Sequence, residues 1–196
     1  MFVCQSEGAQ PTPASAQAKD LELRESTQCN WPYLEIHSAR HDWVEVSLPC
    51  VFEAADQFTE FSMWFLSELE EETRDALRTA LRELVLNGIE WGGRLDSSRR
   101  VRVAILHGQH AVLCRVVDPG EGFQFDDLSH AAIANPADSP FHHMSVREKK
   151  GLRAGGFGLS IVQASIDELL YNGKGNEVVF IKYTHRVLPR RSATAS

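Results

Sequence analysis

The chain has 196 residues, of which 43% are hydrophobic and 24% are charged, a balance typical of a soluble globular domain that folds without disulfides or metals. Its 20 Lys and Arg residues against 27 Asp and Glu residues give a net charge of −7, which argues against a general nucleic-acid or anionic-membrane binder. No apolar run is longer than four residues, and residues 1–7 lack the basic start of a signal peptide. We therefore expect a cytoplasmic protein that binds neither nucleic acid nor membrane.

The cysteines and histidines form no pattern typical of a metal or redox site. The four cysteines are far apart with no CxxC pair, so we expect free thiols, with Cys50 and Cys114 packed as small apolar side chains. Three histidine pairs are close in sequence, but no carboxylate or cysteine accompanies them at a ligand spacing. We interpret them as solvated loop residues: His37/His41, His107/His110 and His142/His143.

Composition divides the chain into a folded centre and two tails. Residues 1–30 are rich in Gln, Ala, Ser, Pro, Thr and Glu and show no apolar periodicity. Such a segment buries too little surface to offset its ordering entropy, so a flexible tail is predicted there and over residues 187–196. One domain is expected over residues 31–186.

The first half of this domain is predicted to contain one strand and two helices. Alternation over residues 42–47 predicts the strand. Apolar residues every three or four positions over 54–69 predict the first helix. The second helix is predicted to begin near Thr73 as the N-cap and to end at Gly92-Gly93, since glycine enters the left-handed cap conformation cheaply.

The second half is predicted to contain two hairpins and a third helix. Alternating residues on both sides of Gly108 predict a hairpin over 101–117, and a turn at 172–175 joins a second pair of strands. The third helix is predicted to begin around Gly156 and to run through Ile166. This order predicts an α/β (α+β) two-layer sandwich, with a mixed, mostly antiparallel sheet and helices on one face.

The segment from 119 to 155 is long for a loop inside a compact domain. Loops of this length are usually functional lids or disordered. It carries four basic residues that are either solvated or available to an anionic ligand: Arg147, Lys149, Lys150 and Arg153.

Glu83 and Asn87 lie four residues apart on the second predicted helix, so their side chains share one flank. A solvated polar edge is one interpretation, because Glu is a good helix former. The other is a general base beside a magnesium ligand, since Mg²⁺ prefers hard oxygen donors such as the Asn87 carbonyl.

The segment Asp118-Pro119-Gly120-Glu121-Gly122 follows a strand that is predicted to be buried. It has the composition of an ordinary turn. It also fits a nucleotide-base pocket, because Asp118 at a strand end can accept a hydrogen bond from an exocyclic amine and the glycines admit a flat ring.

The segment Gly155-Gly156-Phe157-Gly158-Leu159 opens the third predicted helix. Glycines at a helix N-terminus expose unpaired N–H groups to an anion, although a hinge with close helix packing would have the same composition. The segment is neither a P-loop nor a dinucleotide fingerprint, because no Gly-Lys-Ser/Thr follows and G-x-G-x-x-G is absent.

Taken in order, these motifs resemble those of the GHKL ATP-binding superfamily, which includes gyrase, heat-shock chaperone, histidine kinase and mismatch-repair ATPases. Within it, the chain looks most like the bacterial anti-sigma-factor serine/threonine kinases of partner-switching systems. The matching residues are Glu83 and Asn87 in the N-box, Asp118, Gly120 and Gly122 in the first glycine box, and Gly156 and Gly158 in the second.

The resemblance implies a Bergerat-type ATP-binding fold that uses ATP and Mg²⁺. It implies adenine on Asp118 and Mg²⁺ on Asn87, with Glu83 as the catalytic base. The remaining nucleotide contacts that it implies are Gly120 and Gly122 at the base and Arg153, Gly155, Gly156, Phe157, Gly158 and Leu159 along the triphosphate, with the basic residues of 147–153 closing over the phosphates.

The resemblance also implies protein partners. Kinases of this family phosphorylate a STAS-domain antagonist and sequester a sigma factor on the same surface. Whether this chain forms a homodimer stays open. The chain departs from the family pattern at Trp91, where a His is common, at Ala154, where some kinases have Arg, and at Gly175-Asn176, where Ser or Thr is common. These departures keep a second interpretation open, an ATP-gated binding module without phosphoryl transfer. A sensor kinase is not favoured, because no long helical segment with a phosphoacceptor His precedes the domain.

Overall fold

A computed structural model of the chain describes residues 31–40, 42–123, 131–132, 135–136, 138–149 and 156–184. The predicted tails at 1–30 and 187–196 lie outside the described residues, as do Lys150, Arg153, Ala154 and Gly155. Among the residues that the structure describes, no helix has the length and apolar character needed to cross a membrane.

Six strands form one sheet in the order β1-β2-β3-β4-β6-β5, and every neighbouring pair is antiparallel. The described sheet is thus antiparallel throughout rather than mixed. The predicted strand and both hairpins are confirmed, whereas β1 was not predicted. The strands are β1 (Glu35–Ala39), β2 (Trp43–Pro49), β3 (Arg100–His107), β4 (Ala111–Val117), β5 (Glu168–Tyr171) and β6 (Glu177–Tyr183).

One face of the sheet is buried beneath helices. In β3 the buried residues Val101, Val103 and Ile105 alternate with the exposed Arg100 and Arg102, which is the period-2 pattern of a half-buried strand. Helices α1 (Phe52–Phe65), α2 (Glu71–Asn87) and α4 (Gly158–Ser165) share one hydrophobic core with this face, and α4 packs against α2. The two-layer prediction is confirmed, and Cys50 and Cys114 are free thiols buried in this core.

Helix α2 does not begin where the sequence predicted. It begins at Glu71 with Glu70 as the N-cap residue and no side-chain cap, so the prediction of Thr73 as N-cap is wrong. Glu71 and Glu72 lie in the first turn, where negative charge interacts favourably with the helix dipole. Helix α1 likewise ends at Phe65, before the predicted Leu69.

The end of α2 also differs from the prediction. The helix continues into a π-helical turn over Gly88–Gly92, and Gly93 has φ −83° and ψ −22°, which is right-handed. Neither Gly92 nor Gly93 has a positive φ; among the described non-glycine residues, the positive values belong to Arg94 and Leu95, both at 57°. The two glycines therefore do not act as a left-handed cap, and close packing explains them instead.

The long segment from 119 to 155 contains a helix that was not predicted, α3 (His142–Lys149). Its apolar residues do not follow a clear helical period, so pattern analysis gave no signal for it. Helix α4 begins at Gly158 and ends at Ser165, with Ile166 as its C-cap residue, close to the predicted third helix.

Candidate functional site

A cavity of about 650 Å³ opens between the end of α2, the loop after β4, the β5–β6 turn and the start of α4. This volume is in the usual range for a small-molecule or cofactor site. Of the residues predicted to contact a ligand, those with described side chains line this cavity with two exceptions: Glu83, Asn87, Asp118, Gly120, Gly122, Gly156, Gly158 and Leu159. The exceptions are Phe157 and Lys149, which are not part of the cavity wall.

Glu83 and Asn87 lie one turn apart on α2, half-buried, and face the first residue of α4. A Cβ on Gly158 would lie 2.5 Å from Glu83 Oε2 and 4.0 Å from Asn87 Nδ2. Glycine at 158 therefore lets the N-terminus of α4 approach the Glu83 carboxylate closely. A carboxylate, a carboxamide and the positive end of a helix dipole meet here, which is an arrangement suited to a hydrated cation and an anion together.

Asp118 lies directly after β4, and its carboxylate is held by its own loop. Its Oδ1 accepts a hydrogen bond from Gly120 N at 2.7 Å, and its backbone N donates to Asn176 O at 3.0 Å. Burial raises the pKa of the Asp118 carboxyl above its ordinary value, while the Gly120 N–H and the cations of Lys174 and Arg99 act in the opposite direction. Asp118 is a half-buried acceptor aimed into the cavity.

The π-helical turn after α2 decides which residue meets Asp118. In a regular α-helix, Trp91 would continue the line of Glu83 and Asn87, four residues on. The wider turn instead brings Gly92 against Asp118, where a Cβ would lie 2.2 Å from Oδ1. Trp91 lines the cavity with 47% of its surface exposed. π-turns of this kind are frequent at functional sites.

Two glycines with positive φ lock the loop after β4 to the β5–β6 turn. Gly122 (φ 83°) lies so close to Lys174 that a Cβ would be 1.9 Å from its carbonyl oxygen. Gly175 (φ 79°) lies similarly close to Phe123, since a Cβ at residue 175 would be 2.3 Å from the Phe123 carbonyl oxygen. No side chain fits at either position, so the two backbones pack directly on one another.

Three residues around the loop after β4 and the β5–β6 turn were not predicted as site residues. Asn172 Oδ1 accepts from Gly175 N at 2.7 Å and so shapes the β5–β6 turn. Phe123 and Tyr171 form an edge-to-face pair with ring centroids 5.3 Å apart, and both line the cavity. Burial, together with the nearby Asp118 charge, raises the pKa of Tyr171 to about 12. The signal in the sequence was position alone: Asn172 lies in the predicted turn, Tyr171 precedes it, and Phe123 follows the segment 118–122.

Helix α3 is fastened to the start of α4 by a cluster that we call the latch, formed by Asn135, His143 and Phe157. Asn135 Oδ1 accepts from His143 N at 2.8 Å, and its Nδ2 lies 2.7 Å from His143 Nδ1. The buried His143 ring packs edge-to-face on Phe157 at 4.6 Å. Ala132 N adds a bond to Gly156 O at 2.7 Å. Phe157 thus packs on His143, which is buried on α3 and not the solvated loop residue that was predicted.

The donors around the cavity fit an adenine nucleotide with its magnesium ion. Within the described ranges no group of three or more His, Cys, Asp or Glu side chains could hold a metal by itself. Mg²⁺ keeps several waters and binds through few protein oxygens plus substrate phosphates, so the Asn87 carbonyl oxygen and the Glu83 carboxylate would fit such an ion. Of the four predicted lid cations, only the exposed Lys149 has a described side chain.

A family model of the histidine kinase-like ATPase domain matches residues 53–182 of the chain. No curated protein matches the sequence at a significant level. Since the matched region covers most of the chain, the chain belongs to the histidine kinase-like ATPase family, and its domain is one that binds ATP and supports kinase or ATPase chemistry.

Proposed function

We propose that this histidine kinase-like ATPase is an ATP-dependent protein serine/threonine kinase of a partner-switching system. It would act in the cytoplasm as an anti-sigma factor that holds a sigma factor and phosphorylates a STAS-domain antagonist. The observation that supports this best is that Glu83, Asn87, Asp118 and Gly158 line one cavity although they come from three separate parts of the chain.

Each residue has a distinct role in the proposal. Asp118 accepts from the adenine amine, and Gly120 and Gly122 let backbone approach the flat ring. Asn87 holds the Mg²⁺ ion, which neutralises phosphate charge when bound. The phosphates would be bound by the backbone N–H groups of Gly155, Gly156, Gly158 and Leu159, at and just before the start of α4. The Arg153 side chain would add a positive charge.

Glu83 is the proposed catalytic base. Its carboxylate lies at the phosphate end of the cavity beside Gly158, where it would accept the proton of a serine or threonine hydroxyl on the acceptor protein. General base catalysis contributes about 10²–10⁴-fold, whereas positioning and charge stabilisation supply most of the acceleration in phosphoryl transfer.

The test uses γ-labelled ATP, Mg²⁺ and the cognate antagonist. Glu83→Gln is expected to lower transfer by about 10²-fold or more while Mg·ATP still binds, because the amide keeps the shape and loses the basicity. Glu71→Gln, in the exposed first turn of the same helix, is the matched control and is expected to transfer normally. Transfer by Glu83→Gln at the wild-type rate would remove Glu83 from the mechanism.

A second candidate function is an ATP-gated module that sequesters its partner without phosphorylating it. The feature that favours it is Trp91 in the cavity wall, where the family commonly has a histidine. In this case ATP would change partner affinity by favouring one conformation. The same experiment separates the two functions, since the binding module leaves the antagonist unlabelled.

A further inference from the structure

The turn after Asp118 is held by side chains from two distant segments. Arg99, just before β3, donates from its guanidinium to Pro119 O. Lys174, in the β5–β6 turn, donates to Gly120 O at 3.3 Å. Two cations thus bind consecutive carbonyls of the short segment that follows Asp118, and Arg99 also lines the cavity.

Arg99 is the better anchored of the two cations. It is half-buried, its backbone O accepts from Cys50 N at 3.0 Å, and its N donates to Asp96 O at 3.0 Å. Lys174 has half of its side chain exposed, and its Nζ also forms an ion pair with Glu121 Oε2 at 3.8 Å. Lys174 and Arg99 both act to lower the pKa of Asp118. Because water screens exposed charges more strongly than partly buried ones, the effect of Arg99 is the one that depends less on salt.

We propose that Arg99 is a positioning residue of the base pocket, which fixes the Pro119–Gly120 turn and keeps the Asp118 carboxylate a charged acceptor for the amino group of a nucleotide base. This inference rests on the proposed nucleotide site. In this role Arg99 acts through Asp118 and the turn that follows it.

The other charged or titratable groups around Asp118 do not replace this effect. In the part of the chain that the structure describes, the groups that interact with Asp118 besides Arg99 are Lys174 from the β5–β6 turn, Cys50 directly after β2, and Tyr171 from β5. Burial raises the pKa of both the Cys50 thiol and the Tyr171 hydroxyl, so neither carries a charge at neutral pH. The positive charges that act on the Asp118 carboxylate are those of Arg99 and of the more exposed Lys174.

The two parts of the role, bracing and charge, can be separated by substitution. Arg99→Met removes both the charge and the donor, Arg99→Gln keeps a donor without charge, and Arg99→Lys keeps a charge without the planar fork. Arg102→Met is the matched control, because Arg102 is exposed on the open face of the sheet. Thermal melts establish that each variant is folded.

The measurement is calorimetric affinity for Mg·ADP from pH 5 to pH 8. The wild type and Arg102→Met are expected to bind alike. Arg99→Met is expected to bind about tenfold more weakly at pH 7, because the turn that carries Asp118 loses the hydrogen bond from a charged donor to Pro119 O. Its loss of affinity on acidification begins at a higher pH, since the carboxylate protonates more easily without its cation. Arg99→Gln is expected to share that displaced profile and Arg99→Lys the wild-type profile.

The outcomes distinguish this inference from the proposed function. If the wild type does not bind Mg·ADP, the nucleotide site itself is wrong. If the wild type binds and Arg99→Gln matches it in affinity and in pH profile, then Arg99 does not tune Asp118 and the inference is overturned. The same conclusion follows from Arg99→Met should it fold and bind as the wild type does.

Discussion

Asp118 packs directly on the backbone of Gly92: a Cβ at residue 92 would lie 2.2 Å from Asp118 Oδ1 and 2.7 Å from Asp118 Cβ. Gly120 contributes to the same contact, since its own Cβ position lies 2.8 Å from Gly92 Cα. The proposed base acceptor is therefore enclosed by two backbones that carry no side chains. Glycine is needed at 92 for close approach, with no need for a positive φ.

Gly92→Ala tests this contact. The new methyl group must displace Asp118, which overpacks the site at a cost of about 1–3 kcal/mol in the free energy of unfolding. We expect affinity for Mg·ADP to fall at least about tenfold, measured by calorimetry. Gly173→Ala is the control, because a Cβ there has nothing within 4 Å, and it should bind as the wild type does. Equal affinities for both variants would contradict the packing argument.

Gly158→Ala separates the position of Glu83 from the stability of the fold. Its Cβ would lie 2.5 Å from Glu83 Oε2, the far end of a flexible side chain that can rotate away. Gly158 is the first residue of α4, where alanine is compatible with the helix, so the melting temperature should change little. Transfer of the γ-phosphoryl group should nevertheless fall by about tenfold or more, because the methyl group displaces the Glu83 carboxylate from its position beside Gly158.

The double variant Glu83→Gln/Gly158→Ala provides the control for that prediction. If Gly158 acts through Glu83, its substitution should have no further effect on transfer once the carboxylate is absent. Additive losses would show that the start of α4 affects transfer by a route independent of Glu83.

The sequence predicted this fold well where periodicity and polarity agreed. Strand β3 alternates buried valines with exposed arginines, and Glu83 and Asn87 share a flank because their spacing matches the helical repeat. The motif residues converge because the last turns of α2, the segment after β4 and the start of α4 meet at one cavity.

The remaining features depend on contacts between distant segments, which periodicity does not encode. The π-helical turn places Gly92 against Asp118, 26 positions later in the chain. Arg99 reaches Pro119 only when β3 and β4 pair. Helix α3 lacks an amphipathic pattern and is held by the latch, so tertiary contacts determined it.

Asp118→Asn is expected to strengthen the fold of the ligand-free protein while weakening nucleotide binding. Burial raises the folded-state pKa of Asp118, so its charge disfavours folding at any pH above the unfolded-state pKa of a carboxyl, and this cost is absent at lower pH. The variant should melt at a higher temperature than the wild type at pH 7 and at the same temperature near pH 3. Calorimetric melts across this range provide the measurement.

Asp96→Asn is the control of opposite sign for that pH series. The hydroxyl and backbone N–H of Ser98 donate to Asp96 Oδ1 at 2.6 and 2.9 Å and lower the pKa of its carboxyl. A lowered pKa stabilises the fold above the unfolded-state value and loses that effect as the pH falls. Asp96→Asn should therefore melt slightly below the wild type at pH 7. If both variants shift in the same direction, burial is not the cause at Asp118.

Asn135→Ala tests whether the latch controls nucleotide release. Asn135 Oδ1 accepts a hydrogen bond from the backbone N–H of His143, which fixes the orientation of the amide. Asn135 Nδ2 therefore donates to His143 Nδ1, so this ring nitrogen is the acceptor. Nδ2 also donates to Pro140 O at 2.5 Å, and loss of these bonds removes about 0.5–1.5 kcal/mol each.

We expect Asn135→Ala to release a fluorescent adenine nucleotide several-fold faster in stopped-flow displacement, because α3 is no longer fastened to the segment that leads into α4. The association rate should change little, since the cavity walls contributed by α2 and β4 are untouched. Ser145→Ala, exposed on α3, is the control and should leave the release rate unchanged. A latch that serves only the fold would lower the melting temperature of Asn135→Ala without changing nucleotide release, and that result would contradict a role in retaining nucleotide.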